Sequence, residues 1–146
     1  MVAADACLES GLCLAELSQP TLEKVAERMP AWATVGNPVD VEPLSETVGS
    51  VEAYRIALEA ALSDESVDLC LFIMGTIRMP EVSLDFLRNI RQAHPEKPIA
   101  VCIVGIQETY EQLFTMAEEM GVPVFPSVRR AAYGLAALYR YTQLRR

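Results

Sequence analysis

Three nearly unbroken apolar runs constrain the fold of this chain more than any other feature. They are Val67–Met74, Pro98–Val104 and Val122–Phe125, with a weaker fourth run at Leu12–Leu17. Strands that are apolar along their whole length are typical of parallel sheets whose two faces are both covered. The runs therefore predict a parallel sheet buried between helices.

Segments with apolar residues at helical spacing separate these runs. The predicted helices span Val2–Leu8, Thr21–Met29, Ser50–Leu62, Val82–Ala93, Gln107–Met120 and the stretch after Ser127 to about Leu144. Ser127 is a good N-cap, and Gly121 is a good helix stop. Alternating strands and helices predict an α/β fold: a three-layer, doubly wound parallel sheet of flavodoxin-like type. We expect one domain over residues 1–146.

The start of the chain departs from this architecture. A doubly wound domain normally begins with a strand, and in the flavodoxin-like order that strand lies centrally. This sequence opens instead on the helical segment Val2–Leu8. We expect the sheet to lack its first strand, so that the remaining strands close the gap or another chain or domain fills it.

Composition excludes several classes of function. The net charge of -8 argues against a nucleic-acid surface, which needs a basic footprint. No apolar run is long enough to span a bilayer, and no signal-peptide pattern opens the chain.

The four cysteines, Cys7, Cys13, Cys70 and Cys102, lie among apolar residues without Cys-x-x-Cys spacing. They predict buried free thiols and a cytoplasmic protein.

A candidate site lies where the strands end, because ligands of open α/β sheets bind beyond the carboxyl ends of the strands. Three loops leave the predicted strands there: Gly75–Arg78, Gly105–Gln107 and Pro126-Ser127. Helix N-termini meet the same edge and attract anions. The segment Gly36–Asp40 is a candidate to join them.

This segment, Gly36-Asn37-Pro38-Val39-Asp40, predicts a stiff loop and is called the Asn37 loop below. Gly36 permits unusual backbone angles, while Pro38 fixes its own φ and keeps Asn37 out of the helical region. The loop presents one amide and one carboxylate. Asp40 has two interpretations: it contacts a ligand, or its side chain caps the next turn.

No residue stands out as catalytic or as a metal ligand. The sequence contains no Gly-x-x-x-x-Gly-Lys loop, no Gly-x-Gly-x-x-Gly fingerprint and no Gly-x-Ser-x-Gly elbow. The single histidine, His94, precedes Pro95 at the end of a predicted helix. This position favours a helix-end role over catalysis.

Three stretches carry a family resemblance across nearly the whole chain. They are Ala3–Cys7 with Gly11–Leu17, Val35–Asp40, and Gly121–Ser127 followed by Arg130-Ala131 and Leu135–Tyr141. In order and spacing they resemble the NDP-forming acyl-CoA synthetases, which include ADP-forming acetate–CoA ligase and are relatives of succinyl-CoA synthetase. The matching part is the flavodoxin-like third module alone.

The resemblance implies that this chain takes part in an enzyme activity only together with other modules. Such enzymes join an acid to CoA through an acyl phosphate and a phosphohistidine, with CoA-binding, phosphohistidine and ATP-grasp modules as partners. This module implies no cofactor of its own; CoA and ATP or ADP with Mg belong to the assembled enzyme. It contributes a helix N-terminus that holds the phosphorylated histidine. The site residues that carry over, on the phosphate and acyl side, are Gly36, Asn37, Pro38 and Asp40.

Two departures from the family pattern leave a second hypothesis open. The Thr-Asn-Ser-Gly-Gly type loop that precedes the segment matching Met1 to Asp5 is absent, and His94 does not match the phosphorylated histidine. The last helix, which in the family starts Ser-Pro-Glu-Arg-Ala, here reads Ser127-Val128-Arg129-Arg130-Ala131. The chain is therefore expected to be a ligase domain or subunit that is inactive alone. The alternative is a non-catalytic binding or assembly module. A homo-oligomer of this chain is one form of such assembly.

Overall fold

A computed structural model of the chain describes residues 2–75, 83–105 and 107–145. Its elements, in chain order, are α1 (Val2–Glu9), α2 (Gln19–Ala26), α3 (Glu42–Val48), α4 (Ser50–Ser63), β1 (Cys70–Gly75), α5 (Asp85–Ala93), β2 (Ile99–Val104), α6 (Gln107–Glu119), β3 (Val124–Phe125) and α7 (Val128–Leu144). In this part of the chain no helix is long and apolar enough to cross a membrane.

The chain divides into two compact units. The sheet unit comprises Met1–Leu14, Leu69–Leu84 and Pro98–Arg146, and it contains all three strands. The helical unit comprises Ala15–Asp68 and Asp85–Lys97, and it contains α2 to α5.

The strands of the sheet unit form a parallel sheet in the order β1-β2-β3. The register pairs Cys70 with Ile99 and Val101 with Val124. The central strand β2 is buried from Ile99 through Ile103, as its unbroken apolar sequence predicts. The predicted α/β class with a parallel sheet is confirmed.

Helix α7 packs closely on the sheet because its inner face consists mostly of small residues. Ala131, Ala132 and Ala136 are buried there in one cluster with Ala100 and Cys102 of β2. Gly134 lies against the ring of Phe125, and a Cβ at this position would come within 2.7 Å of that ring. The missing side chain of Gly134 therefore lets α7 lie close to β3.

The helical unit has its own core and one buried carboxylate. Val25, Leu44, Ala53, Ile56 and Ala60 form the core. The carboxylate of Asp64, which is only 5% exposed, accepts hydrogen bonds from the backbone N and Oγ of Ser18 at 2.8 and 2.7 Å.

Ser66 completes the surroundings of that carboxylate. Its backbone N and Oγ donate to Asp64 at 3.0 and 2.7 Å. Hydrogen bonds from the Thr21 hydroxyl, from Ser66 and from Ser18 hold the pKa of Asp64 well below its usual range. Asp64 therefore joins the start of α2 to the end of α4.

Four points of the sequence analysis need correction. Residues 12–18 belong to no strand of the described structure. The apolar character of the run is incomplete: Leu12 is buried, but Cys13 is exposed and is not the buried thiol we expected. Helix α3 was not predicted, although Glu42-Pro43 is a typical helix start. The helix predicted from Val82 begins at Asp85, and Val82 itself lies outside the described residues.

Gly121 ends α6 as predicted, in a left-handed backbone conformation with φ of +70°. Its N–H donates to the Glu118 carbonyl, and the N–H of Val122 donates to that of Ala117, both at 2.9 Å. We expect Gly121→Ala to lower the free energy of unfolding by about 1 kcal/mol, because a Cβ disfavours this conformation.

Urea denaturation measures this effect, and Gly36→Ala is the matched control. Gly36 has no positive φ, contrary to the unusual backbone angles expected of it, and a Cβ added there would meet nothing within 4 Å beyond its two chain neighbours. Its substitution should change stability by less than about 0.5 kcal/mol. Equal effects of the two substitutions would contradict the helix-stop role of Gly121.

Candidate functional site

Two valines four residues apart anchor the Asn37 loop: Val35 lies directly before it and Val39 lies within it. Val35 and Val39 are partly buried and pack against the core of the helical unit. Between and beside them, the side chains of Asn37, Pro38 and Asp40 are exposed or partly exposed. The loop is thus anchored by apolar contacts and presents its polar groups to the outside. Sequence reasoning missed these anchors, although the spacing of the two valines was a signal for them.

Asn37 ties the loop to a neighbouring segment. Its Nδ2 donates a hydrogen bond to the carbonyl oxygen of Ala15 at 2.9 Å. The peptide bond from Asn37 to Pro38 is cis. An amide nitrogen carries two hydrogens, so Asn37 keeps a second donor for a ligand oxygen.

Asp40 makes a local turn. Its Oδ1 accepts a hydrogen bond from the backbone N of Glu42 at 3.1 Å, where α3 begins. This contact is the turn-capping alternative of the sequence analysis. It occupies one carboxylate oxygen, and a carboxylate has about four acceptor positions. The contact therefore leaves Asp40 chemically able to accept a donor from outside the loop.

The carboxyl ends of the three strands are described only in part. Thr76, Ile77 and Arg78, which follow β1, lie outside the described residues, as does Ile106 after β2. The Asn37 loop belongs to the helical unit and the strands to the sheet unit. That the loop joins the sheet edge stays a prediction.

The third loop at that edge, Pro126-Ser127, leads directly into α7. Ser127 caps this helix as predicted, because its Oγ accepts from the backbone N of Arg130 at 3.3 Å. Arg129, in the first turn, pairs with Glu9 at the end of α1 at 2.9 Å. Part of the positive charge in the first turn of α7 is thus compensated within the sheet unit.

A cleft of about 260 Å³ opens between α4 and α5 of the helical unit. Its lining comprises Arg55, Glu59, Phe86, Asn89, Ile90, Ala93 and His94. The guanidinium of Arg55 already contacts Glu52 at 2.6 Å and Glu59 at 2.5 Å. Because two carboxylates neutralise this cation, the cleft offers no net positive charge to an anionic ligand.

In the described part of the chain, the thiols and acidic groups are not arranged to bind a metal ion. Within residues 2–75, 83–105 and 107–145, no three His, Cys, Asp or Glu side chains are grouped so that they could hold a metal ion. Cys7 and Cys102 are buried and Cys70 is partly buried. Loss of hydration raises the pKa of all three thiols, that of Cys70 to about 12. These three thiols therefore remain protonated and unreactive at neutral pH.

The geometry defines a protein of the α/β class with a parallel sheet and a polar loop held on a separate helical core. Comparison with known proteins then places it more narrowly. The chain is 32% identical over 142 residues to acetate–CoA ligase (ADP-forming) II of Archaeoglobus fulgidus, an alignment covering 97% of this chain and 21% of that protein. It is 29% identical over 146 residues to the alpha subunit of acetate–CoA ligase (ADP-forming) I of Pyrococcus furiosus, covering 98% of this chain and 30% of that subunit.

A solved structure supports the same relationship. The crystal structure of PH0766 from Pyrococcus horikoshii OT3 matches with a TM-score of 0.80 at 25% identity, covering 94% of this chain and 32% of that one. No protein-family model matches the sequence. The family resemblance is confirmed: the chain is homologous to one part of the ADP-forming acetate–CoA ligases. It spans only about a fifth to a third of the length of these relatives.

Proposed function

We propose that this chain is one part of an NDP-forming acid–CoA ligase and has no ligase activity by itself. One observation carries the proposal: relatives named ADP-forming acetate–CoA ligase match nearly all of this chain, while the chain matches a small share of them. In the assembled enzyme, other modules supply CoA binding, the phosphorylated histidine and the binding of ATP or ADP with Mg. The assembly acts in the cytoplasm.

The Asn37 loop is the part of this chain that we assign to the phosphohistidine and acyl-phosphate side. Its chemistry suits such a place. The second amide hydrogen of Asn37 can donate to a phosphoryl or carboxyl oxygen, and the Asp40 carboxylate can accept from an N–H or O–H of a neighbouring module. Gly36 and Pro38 shape the backbone between these two groups and the Val35 anchor.

Activity measurements on the chain alone and in an assembled enzyme test this proposal. Purified by itself, the chain should form no acyl-CoA from acetate, CoA and ATP. Placed in the Archaeoglobus relative instead of the aligned segment, it should support the reaction. Acyl-CoA formation by the isolated chain would refute the modular role.

A second candidate function, a non-catalytic assembly module, is favoured by the position of β1. This strand lies at the edge of the sheet. The N–H of Cys70 donates to the Pro98 carbonyl. In a parallel ladder only every second residue of a strand bonds to a given neighbour. The backbone groups of Leu71 and Ile73 therefore point away from β2.

An edge with outward backbone groups recruits further strands. The side chains of Leu71 and Ile73 are partly buried against the α1 and α7 core, which an added apolar strand would extend. Light scattering tests self-assembly: pairing of two copies through this edge requires a dimer or larger species, and a monomer at all concentrations would exclude it.

A further inference from the structure

The C-terminal part of α7 has no fully buried residue from 137 to 145. Residues 137–145 are all exposed, and they include four large apolar or aromatic side chains: Leu138 is 42% exposed, Tyr139 37%, Tyr141 54% and Leu144 86%. Short helical segments are marginal in water unless one face packs against something. Contiguous exposed apolar groups mark surfaces that bind a partner.

Two of these side chains, Tyr141 and Leu144, continue a stripe that starts further back on the helix. Tyr133, Ala137, Tyr141 and Leu144 follow one another at intervals of four, four and three residues, so they lie on one side of α7 over about 16 Å. We call these four residues the outer stripe. It lies away from the buried face made by Ala132, Leu135 and their neighbours.

Arginines order the aromatic rings of the outer stripe. The guanidinium carbon of Arg140 lies 5.9 Å from the ring centre of Tyr133, and that of Arg145 lies 5.5 Å from the ring centre of Tyr141. Arg140 also donates to the carbonyl oxygen of Ser10 at 3.1 Å, which holds it near the end of α1. The stripe is therefore partly pre-ordered, which reduces the entropy lost on binding.

The charge of α7 is opposite to that of the chain. The chain has 20 acidic and 12 basic residues and a net charge of -8, yet α7 contains Arg129, Arg130 and Arg140 and no Asp or Glu. A complementary partner must present carboxylates. A negatively charged membrane fits poorly, because the remainder of the chain would be repelled from it. Tyr and Arg, in contrast, are enriched at the energetic centres of protein interfaces.

We propose that the outer stripe docks into an apolar groove, rimmed by Asp and Glu side chains, on another module of the ligase. The inference rests on the proposed function for the identity of the partner. It specifies the surface that makes the contact, with Tyr141 and Leu144 as apolar anchors and Arg145 facing the acidic rim. The mode is that of a helix lying in a groove.

Hydrogen exchange on a complete enzyme tests this docking. The sample is the Archaeoglobus ligase in which this chain replaces the aligned segment, compared with the free chain. We expect amide exchange across residues 137–145 to be at least about 10-fold slower in the chimera, because docking suppresses local opening. The double variant Tyr141→Ala/Leu144→Ala should lose this protection, and Arg145→Glu should reduce it. Trp32→Ala, which removes an exposed aromatic of the helical unit, should not change it.

The outcomes separate this inference from the proposed function. An active chimera without protection at residues 137–145 overturns the docking and leaves the ligase role standing. Protection in an inactive chimera supports the docking and counts against the ligase role. Protection that survives the double variant overturns the outer stripe as the contact. Protection of the free chain by phosphatidylserine vesicles, with none in the chimera, also overturns the inference in favour of a membrane surface.

Discussion

Replacing Asp64 with alanine should lower the free energy of unfolding by about 3 kcal/mol. The buried carboxylate accepts four hydrogen bonds from Ser18 and Ser66, and hydrogen bonds to charged groups contribute about 1.5–3 kcal/mol each. Their effects do not add fully, because water reaches the exposed Ser18 and Ser66 after the substitution. Urea denaturation followed by circular dichroism measures the loss.

The effect of Asp64 should depend on pH in a defined direction. Its folded-state pKa is lowered, so its contribution is complete above the unfolded-state pKa of about 3.9 and is lost as the pH falls toward the folded-state pKa. The stability difference between wild type and Asp64→Ala should therefore shrink below about pH 4.

Asp68→Ala is the control for this prediction, because Asp68 is an exposed carboxylate of the same unit. Its substitution should change stability by less than about 0.5 kcal/mol. If Asp64→Ala is as mild as Asp68→Ala, Asp64 does not join α2 to α4 in the way the hydrogen bonds indicate.

Asp40→Asn should lower the ligase activity of an assembled enzyme containing this chain by at least about 10-fold while leaving the fold intact. Asparagine retains the Oδ1 that accepts from Glu42, so the turn survives, but the charge is lost. One charge-assisted hydrogen bond made only in the enzyme contributes about 1.5–3 kcal/mol, or about 10- to 100-fold in rate.

Two further variants make this result specific. Asp40→Ala should match the activity loss and also lower the free energy of unfolding by about 1 kcal/mol, because the turn contact is lost as well. Asp68→Asn should leave activity unchanged. Full activity of Asp40→Asn, combined with reduced stability of Asp40→Ala, would restrict Asp40 to the turn.

The parts of the fold predicted from sequence are those with an unambiguous local pattern. The fully apolar run at β2 predicted a buried parallel strand, and Ser127 and Gly121 predicted where α7 begins and α6 ends. The run Leu12–Leu17 was predicted as a strand but forms none, and its Cys13 is exposed. Composition cannot show whether a run has a neighbouring strand to pair with.

The sequence marked the Asn37 loop as a candidate but did not show the contacts that hold it, and its role in a site stays a prediction. The Asn37 loop was evident from its proline and glycine. One of the two roles predicted for Asp40, capping the next turn, is confirmed by its contact with Glu42. The hydrogen bond from Asn37 to Ala15 joins residues 22 positions apart, and no local pattern encodes such a contact. The same holds for Asp64, whose Ser18 partner is 46 positions away.

The chimera with the Archaeoglobus acetate–CoA ligase II tests the central claim most directly. In it, this chain replaces the aligned segment of about a fifth of that enzyme, and the formation of acetyl-CoA and ADP from acetate, CoA and ATP is measured. The ligase role predicts clear activity in the chimera, none in the isolated chain, and a loss with Asp40→Asn. A folded chimera that binds nucleotide and CoA but forms no acetyl-CoA would contradict it.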